Sequence, residues 1–309
     1  MGKNNIRILV TGASGFIGRH LLGSLQATGN WPEIHAVCHS AEWPRGQNGS
    51  VVWHTADLLH PPSLDGLIAQ VKPTHLIHAA WVTDHGVFWT HPDNTCWYDA
   101  SLTLADAFSR HGGRRFVNLG SVAEYDWRDG RMIEGKTREE PATPYGQAKL
   151  AFHRELTARA QKAGYSAATG RIFFTYGAHE KPGRFVPSAC RALITGEPEA
   201  FGSGSQWRDF LHVTDLARAI EYLTRSPLEG AVNLGSGSPM RLSDMLYALE
   251  NLSTAKGVLL KGARPDAPDD PPILFADTKR LAEIGWQPIV SLEDGLSAAL
   301  DWWRSYLNP

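Results

Sequence analysis

Ile6-Arg7-Ile8-Leu9-Val10-Thr11-Gly12-Ala13-Ser14-Gly15-Phe16-Ile17-Gly18 is the stretch that decides the fold. The apolar run at its start reads as a buried strand, and the amphipathic stretch Phe16–Thr28 that follows reads as a helix. Between them the glycines stand as GxxGxxG. At a strand–helix junction this spacing allows a tight turn, a close approach of backbone to a pyrophosphate, and close packing of helix on strand. The helix N-terminus adds unpaired N–H groups and the positive end of its dipole. Gly12, Ser14, Gly15, Phe16, Ile17 and Gly18 are therefore candidate dinucleotide contacts.

Working outward, further strands are expected at Ile34–Cys38, Val51–His54, His75–His78, Arg115–Leu119 and Ala167–Ile172, with helices at Ser63–Val71, Asp93–His111 and Tyr145–Ala163. Repeated β-α-β implies a parallel sheet covered by helices on both faces, joined by right-handed crossovers. The fold class is α/β, a Rossmann doubly wound parallel sheet with a smaller C-terminal lobe. Beyond residue 172, Gly and Pro become denser. Residues 1–172 then form the nucleotide domain, to which 213–236 return, while 173–212 and 237–309 form the substrate lobe. Leu292–Tyr306 reads as a docked amphipathic helix.

Composition narrows the function class. A formal charge of −2 across 309 residues gives no general attraction to nucleic acid or anionic membrane. No apolar run approaches a membrane span. The N-terminal residues lack a signal-peptide pattern, and Cys38, Cys96 and Cys190 are odd in number and far apart. A cytoplasmic protein without a metal site is expected.

An acid at the end of the second strand would bond an NAD ribose, and a basic residue would favour NADP. Here the strand runs into His39-Ser40, with Arg45 following, which leans towards NADP(H) over NAD(H). Asp57-Leu58, past the third strand, is placed to reach the adenine edge. Tyr145 and Lys149, four apart at a helix start, point into one cleft. A neighbouring cation favours the phenolate, so this Tyr can exchange a proton with a carbinol or carbonyl oxygen while hydride moves at the carbon. Ser121, in the turn after the fifth strand, can donate to the same oxygen. His20, His54 and His153 have no partner visible in sequence and read as packing or surface residues.

With these residues in place, the chain resembles the extended short-chain dehydrogenase/reductases that process nucleotide sugars. The likeness is carried by TGASGFIG, ADL at 56–58, HAA at 78–80, GSVAEY at 120–125, YGQAK at 145–149, FVPSACRALITGEP at 185–198, FGSGSQWRDFLHVTDLARA at 201–219, VNLGSGSP at 232–239 and ADTKRLAEIGWQP at 276–288. The resemblance implies Ser121, Tyr145 and Lys149 as the catalytic triad. Ala79, Ala80, Asn94, Tyr145, Lys149 and Phe173 join the expected cofactor contacts, with Lys149 also able to hold the nicotinamide ribose. For the substrate it implies Trp81, Val122, Phe174, His179 and Val186, with Arg208 and Arg264 gripping a diphosphate. It also implies a homodimer joined through a four-helix interface.

The departures narrow the reaction. Nucleotide-sugar 4,6-dehydratases carry an Asp-Glu pair where Val122 and Ala123 stand, so dehydration is not expected. GDP-fucose synthase-like enzymes have a Cys at Ala123 and a His that His179 resembles. UDP-galactose 4-epimerase-like members have an Asn at Phe174. The tail and Gly-Ala-Arg-Pro-Asp at 262–266 look similar to abequose synthase-like 4-keto reductases. The first expectation is reduction of a nucleotide 4-keto-6-deoxyhexose, and the alternative is epimerisation through a transient ketone. A non-catalytic NAD(P) sensor would share the glycine loop but would not need Ser121, Tyr145 and Lys149 together.

Overall fold

The computed structural model describes residues 6–39, 50–84 and 86–308. The glycine loop joins strand β1 (Arg7–Thr11) to helix α1 (Phe16–Thr28). The chain then alternates through β2 (Glu33–Cys38), β3 (Val51–Thr55), α2 (Pro61–Val71), β4 (His75–His78), α3 (Asp93–Arg110) and β5 (Arg115–Ser121). A short β6 (Arg131–Met132) precedes α4 (Pro144–Ala163), β7 (Ser166–Ile172) and β8 (Phe174–Tyr176). Next come α5 (Phe185–Thr195), β9 (Glu199–Ala200), β10 (Trp207–Arg208), β11 (Phe210–His212), α6 (Val213–Arg225) and β12 (Gly230–Leu234). The last elements are β13 (Met240–Arg241), α7 (Leu242–Asn251), β14 (Leu259–Leu260), β15 (Ile273–Ala276), α8 (Lys279–Glu283) and α9 (Leu292–Leu307).

Among the described residues, seven strands form one sheet in the order β12-β7-β5-β4-β1-β2-β3, with parallel pairing throughout. β1 lies between β2 and β4, so the strand order reverses there, and ligands of open α/β sheets bind at such a switch point. The period of two in β1 divides its side chains between two cores. Ile8 and Val10 pack with Leu21, Leu22 and Leu25 of α1 and with Leu216 and Ile220 of α6. Leu9 faces the other way, into the layer of Leu67 from α2, Leu104 and Phe108 from α3, and Phe152 and Leu156 from α4. Both faces are covered, which explains the near-continuous apolar reading of the strand.

A separate apolar cluster joins α5, α7 and α9 through Ala189, Leu193, Met245, Leu249, Leu296, Leu300 and Trp303. A four-stranded sheet, β13-β10-β15-β6, and the pair β11-β8 complete this side of the molecule. No helix among the described residues is long and apolar enough to cross a membrane.

Candidate active site

The loop after β1 is built by exclusion of side chains. Gly12 takes φ of 65°, and a Cβ on it would lie 2.7 Å from the Ala79 carbonyl carbon. A Cβ on Gly18 would lie 2.2 Å from the Gly12 carbonyl oxygen. Only glycine lets α1 approach the loop this closely. No side chain caps α1 at Gly15, so its first-turn N–H groups remain available to an anion. These features fit the diphosphate of a dinucleotide. Ala79 and buried Ala80 close the loop from the end of β4. Beneath it, His78 is buried and its ring nitrogens bond Thr11 Oγ1 at 2.7 Å and Ser101 Oγ at 2.9 Å. Burial holds this imidazole down at about 3, so it stays neutral.

Other expected cofactor contacts scatter. His39 is exposed just past β2, whereas Ser40 and Arg45 lie outside the described residues. Asp57 is exposed and accepts the Leu59 N–H, while Leu58 and Phe173 are buried. Asn94 is spent on the protein itself. Its Oδ1 accepts the Trp81 indole N–H at 2.9 Å, and its Nδ2 donates to the carbonyls of Phe88 and His91.

The three residues expected to act together are assembled at the carboxyl edge of the sheet. Ser121 closes β5, and its Oγ caps a single 3-10 turn by accepting the Ala123 N–H at 3.1 Å. Thr143 caps α4 and Pro144 occupies its first position, which places Tyr145 in the first turn and Lys149 one turn later. The phenol of Tyr145 faces the side chain of Ser121. Lys149 Nζ donates to the Leu119 carbonyl at 2.9 Å and lies over the Trp81 ring. Burial pushes the Tyr145 phenol up to about 12, with the Ser121 side chain pulling against it. Burial likewise brings the Lys149 ammonium down to about 7, and the charge of Glu124 opposes that fall.

Around Tyr145 stands an aromatic wall that sequence reading missed. Phe88 and Trp89 meet its ring edge-on at centroid distances of 5.0 and 5.7 Å, and Trp127 packs on Trp89. The Arg184 guanidinium lies 5.2 Å from the Phe88 centroid. Glu124 was also missed, although Ser121-x-x-Glu124 carries the capping-box spacing that signals such a contact.

The expected substrate contacts divide. Val122 is buried against Tyr125 and Phe173 beside the site. Arg208 is buried, with its guanidinium paired to Asp270, donating to the Pro271 carbonyl and lying 5.6 Å from the Phe174 centroid. Arg264 is exposed and lines a cavity of about 290 Å³ with Phe185, Gln206, Asp266 and Asp270. Two further expected contacts are engaged within the protein. Val186 is 1% exposed and fills the apolar core of α5, α7 and α9, leaving no face for a ligand. His179 takes φ of 68° and bonds Arg19 at 2.8 Å, with its ring against Trp302 of α9. Three histidines without a partner visible in sequence find one in the fold: His20 bonds the Ala178 carbonyl, His54 bonds His35, and His153 bonds Thr169.

Fold and loop together define an α/β enzyme of the dinucleotide-binding class. The chain belongs to the NAD dependent epimerase/dehydratase family, whose model matches residues 8–235, and thus to the extended short-chain dehydrogenase/reductases. It is 27% identical to UDP-glucose 4-epimerase of Rhizobium meliloti (strain 1021), over 98% of this chain and 98% of that one. It is 28% identical to GDP-L-fucose synthase 1 of Arabidopsis thaliana, over 98% of this chain and 94% of the relative. The crystal structure of UDP-glucose 4-epimerase from Thermotoga maritima with UDP-glucose matches with a TM-score of 0.87 at 22% identity, over 98% and 100% of the two chains, and so shares the fold.

Proposed function

We propose that this chain is a nucleotide-sugar 4-epimerase that works through a transient ketone at a ring carbon. The observation that carries the reading is the assembly of Ser121, Tyr145 and Lys149 beside the glycine cradle. Full-length likeness to UDP-glucose 4-epimerases favours epimerisation over the ketoreduction first expected from the sequence. Bound in the cradle, a nicotinamide dinucleotide supplies hydride acceptance at the ring carbon and hydride return. As the phenolate, Tyr145 takes the carbinol proton as the carbonyl forms, and as the resulting phenol it gives that proton back on reduction. Ser121 donates to the same substrate oxygen, and Lys149 keeps positive charge near the phenol. Arg208 and Arg264 hold the diphosphate, which requires the Arg208–Asp270 pair to rearrange.

Ketoreduction with NADPH is the second reading, supported by exposed His39 where a ribose-binding acid is expected. In either case, residues 1–172 with 213–236 hold the dinucleotide, and the remainder holds the nucleotide sugar. A homodimer through α3 and α4, which pack together here, is the expected assembly.

The deciding experiment is mass spectrometry and absorbance of ligand released from purified protein, followed by incubation with a panel of nucleotide hexoses. Stoichiometric tightly held NAD and interconversion of C4 epimers without net cofactor use are expected. An empty protein that consumes NADPH on a 4-keto sugar would overturn epimerisation in favour of reduction.

A further inference from the structure

We infer that Glu124 is a positioning residue for the reaction, its buried carboxylate fixing the Ser121 backbone with one oxygen and keeping a negative charge beneath Tyr145 and Lys149. The inference rests on the reading of Tyr145 as the proton-carrying group. Glu124 and Arg171 are both 0% exposed. Glu124 Oε1 accepts the Ser121 N–H at 2.9 Å, and Oε2 accepts from Arg171 Nε at 2.7 Å. Arg171 continues to Glu139 Oε1 at 2.6 Å, and its guanidinium lies 4.3 Å from the Tyr125 centroid. Tyr125 in turn donates to Asn233 at 2.8 Å. Gly120 leaves room for the carboxylate, because a Cβ there would lie 2.3 Å from Glu124 Oε1.

An apolar pair of equal volume would fill this space with less desolvation. What an apolar pair cannot do is accept the Ser121 N–H or maintain a charge in a low-dielectric interior. Glu124 is faced by Arg171 of β7 and by Tyr145, Lys149 and His153 of α4. Arg184 and Ser121 also face Tyr145, and His78 of β4 also faces Lys149. Glu139, Arg154 and Glu134 complete the surrounding charges. Burial dominates at both catalytic groups, pulling Tyr145 up and Lys149 down, and the charge of Glu124 then favours the protonated form of each.

Glu124→Gln keeps an oxygen for the Ser121 N–H and removes the charge. The expected result is a fall in kcat of about tenfold with KM for the nucleotide sugar near parental. The pH limb that reports Tyr145 and Lys149 should move down by about one pH unit. Glu124→Asp keeps the charge and loses reach, so kcat should fall while the limb stays in place. Cofactor titration counts folded sites in each variant, so if Glu124→Gln does not fold, Glu124→Asp still decides through its kcat per site. A purely structural carboxylate would lower thermal stability and leave kcat per site and the limb parental in both variants, which would overturn the inference. Tyr145→Phe run in parallel separates the two levels. If it keeps full turnover, the reading of Tyr145 itself fails. If it is inactive while both Glu124 variants match the parent, only the role of Glu124 fails.

Discussion

The ammonium of Lys149 lies 3.8 Å from the centroid of the Trp81 ring, the same indole whose N–H is held by Asn94. The electron-rich face of Trp favours the charged form of such a cation, against the desolvation that lowers it. The fourth-strand loop and α3 therefore meet the site through an aromatic ring.

Trp81→Leu should remove that contact, and it also takes the indole N–H away from Asn94 Oδ1. We expect kcat to fall by roughly 2- to 30-fold, the range of a desolvated cation–π contact. Steady-state kinetics at saturating cofactor measures it, and an unchanged kcat would show that the ring is packing alone.

Tyr145→Phe deletes the only hydroxyl on that ring and keeps its edge contacts with Phe88 and Trp89. Turnover should drop by about 10²- to 10⁴-fold, the usual worth of a positioned acid or base. Dinucleotide affinity, measured by fluorescence titration, should stay within about twofold of the parent, since the glycine loop is untouched.

Gly18→Ala tests the cradle. The added methyl would meet the Gly12 carbonyl at 2.2 Å and Ala13 Cα at 2.6 Å, both rigid backbone, so α1 must move outward. A stability loss on the order of 1–3 kcal/mol is expected with loss of dinucleotide binding, read by thermal unfolding with and without cofactor. Normal cofactor-induced stabilisation in this variant would contradict the role of the loop.

Glu180 provides a test by pH. Its Oε2 is shut off from solvent without a hydrogen-bond partner among the described residues, and burial raises the carboxyl from 4.5 to about 8, against the pull of Arg184. Because the folded pKa lies above the unfolded one, the folded state holds a proton that the unfolded state has released. The group's contribution to stability is thus present below about 4.5 and lost as pH rises through about 8. Glu180→Gln mimics the protonated form. Its melting temperature should match the parent near the acid end of that window and exceed it above the upper end. A constant offset across the window would rule this account out.

Much of the frame could be read along the chain. Phe16–Thr28 and His75–His78 have in the structure the bounds that periodicity predicts. A hydrophobic face repeats every two or 3.6 residues whatever it packs against, so long elements announce themselves locally. The two-residue strands β6, β9, β10, β13 and β14 have no room for a period and were not foreseen. Within the site, the glycine loop, Ser121, Tyr145 and Lys149 were legible because turn geometry and helix spacing restrict the residue types that fit there. Glu124 was legible only as a capping signal, and its second partner, Arg171, lies 47 positions away.

By itself the sequence therefore determined the parallel α/β frame, the glycine turn after β1 and the trio at the carboxyl edge. These announce themselves through periodicity, turn geometry and helix spacing, which are written locally along the chain. Only the tertiary structure decided that Asn94 holds Trp81, that Val186 belongs to a core, that His179 turns to Arg19, and that Asp270 occupies the Arg208 guanidinium. The physical reason is that a buried polar or charged group takes whatever partner the fold brings to it, sometimes more than a hundred residues distant in sequence, as with Tyr125 and Asn233, separated by 108.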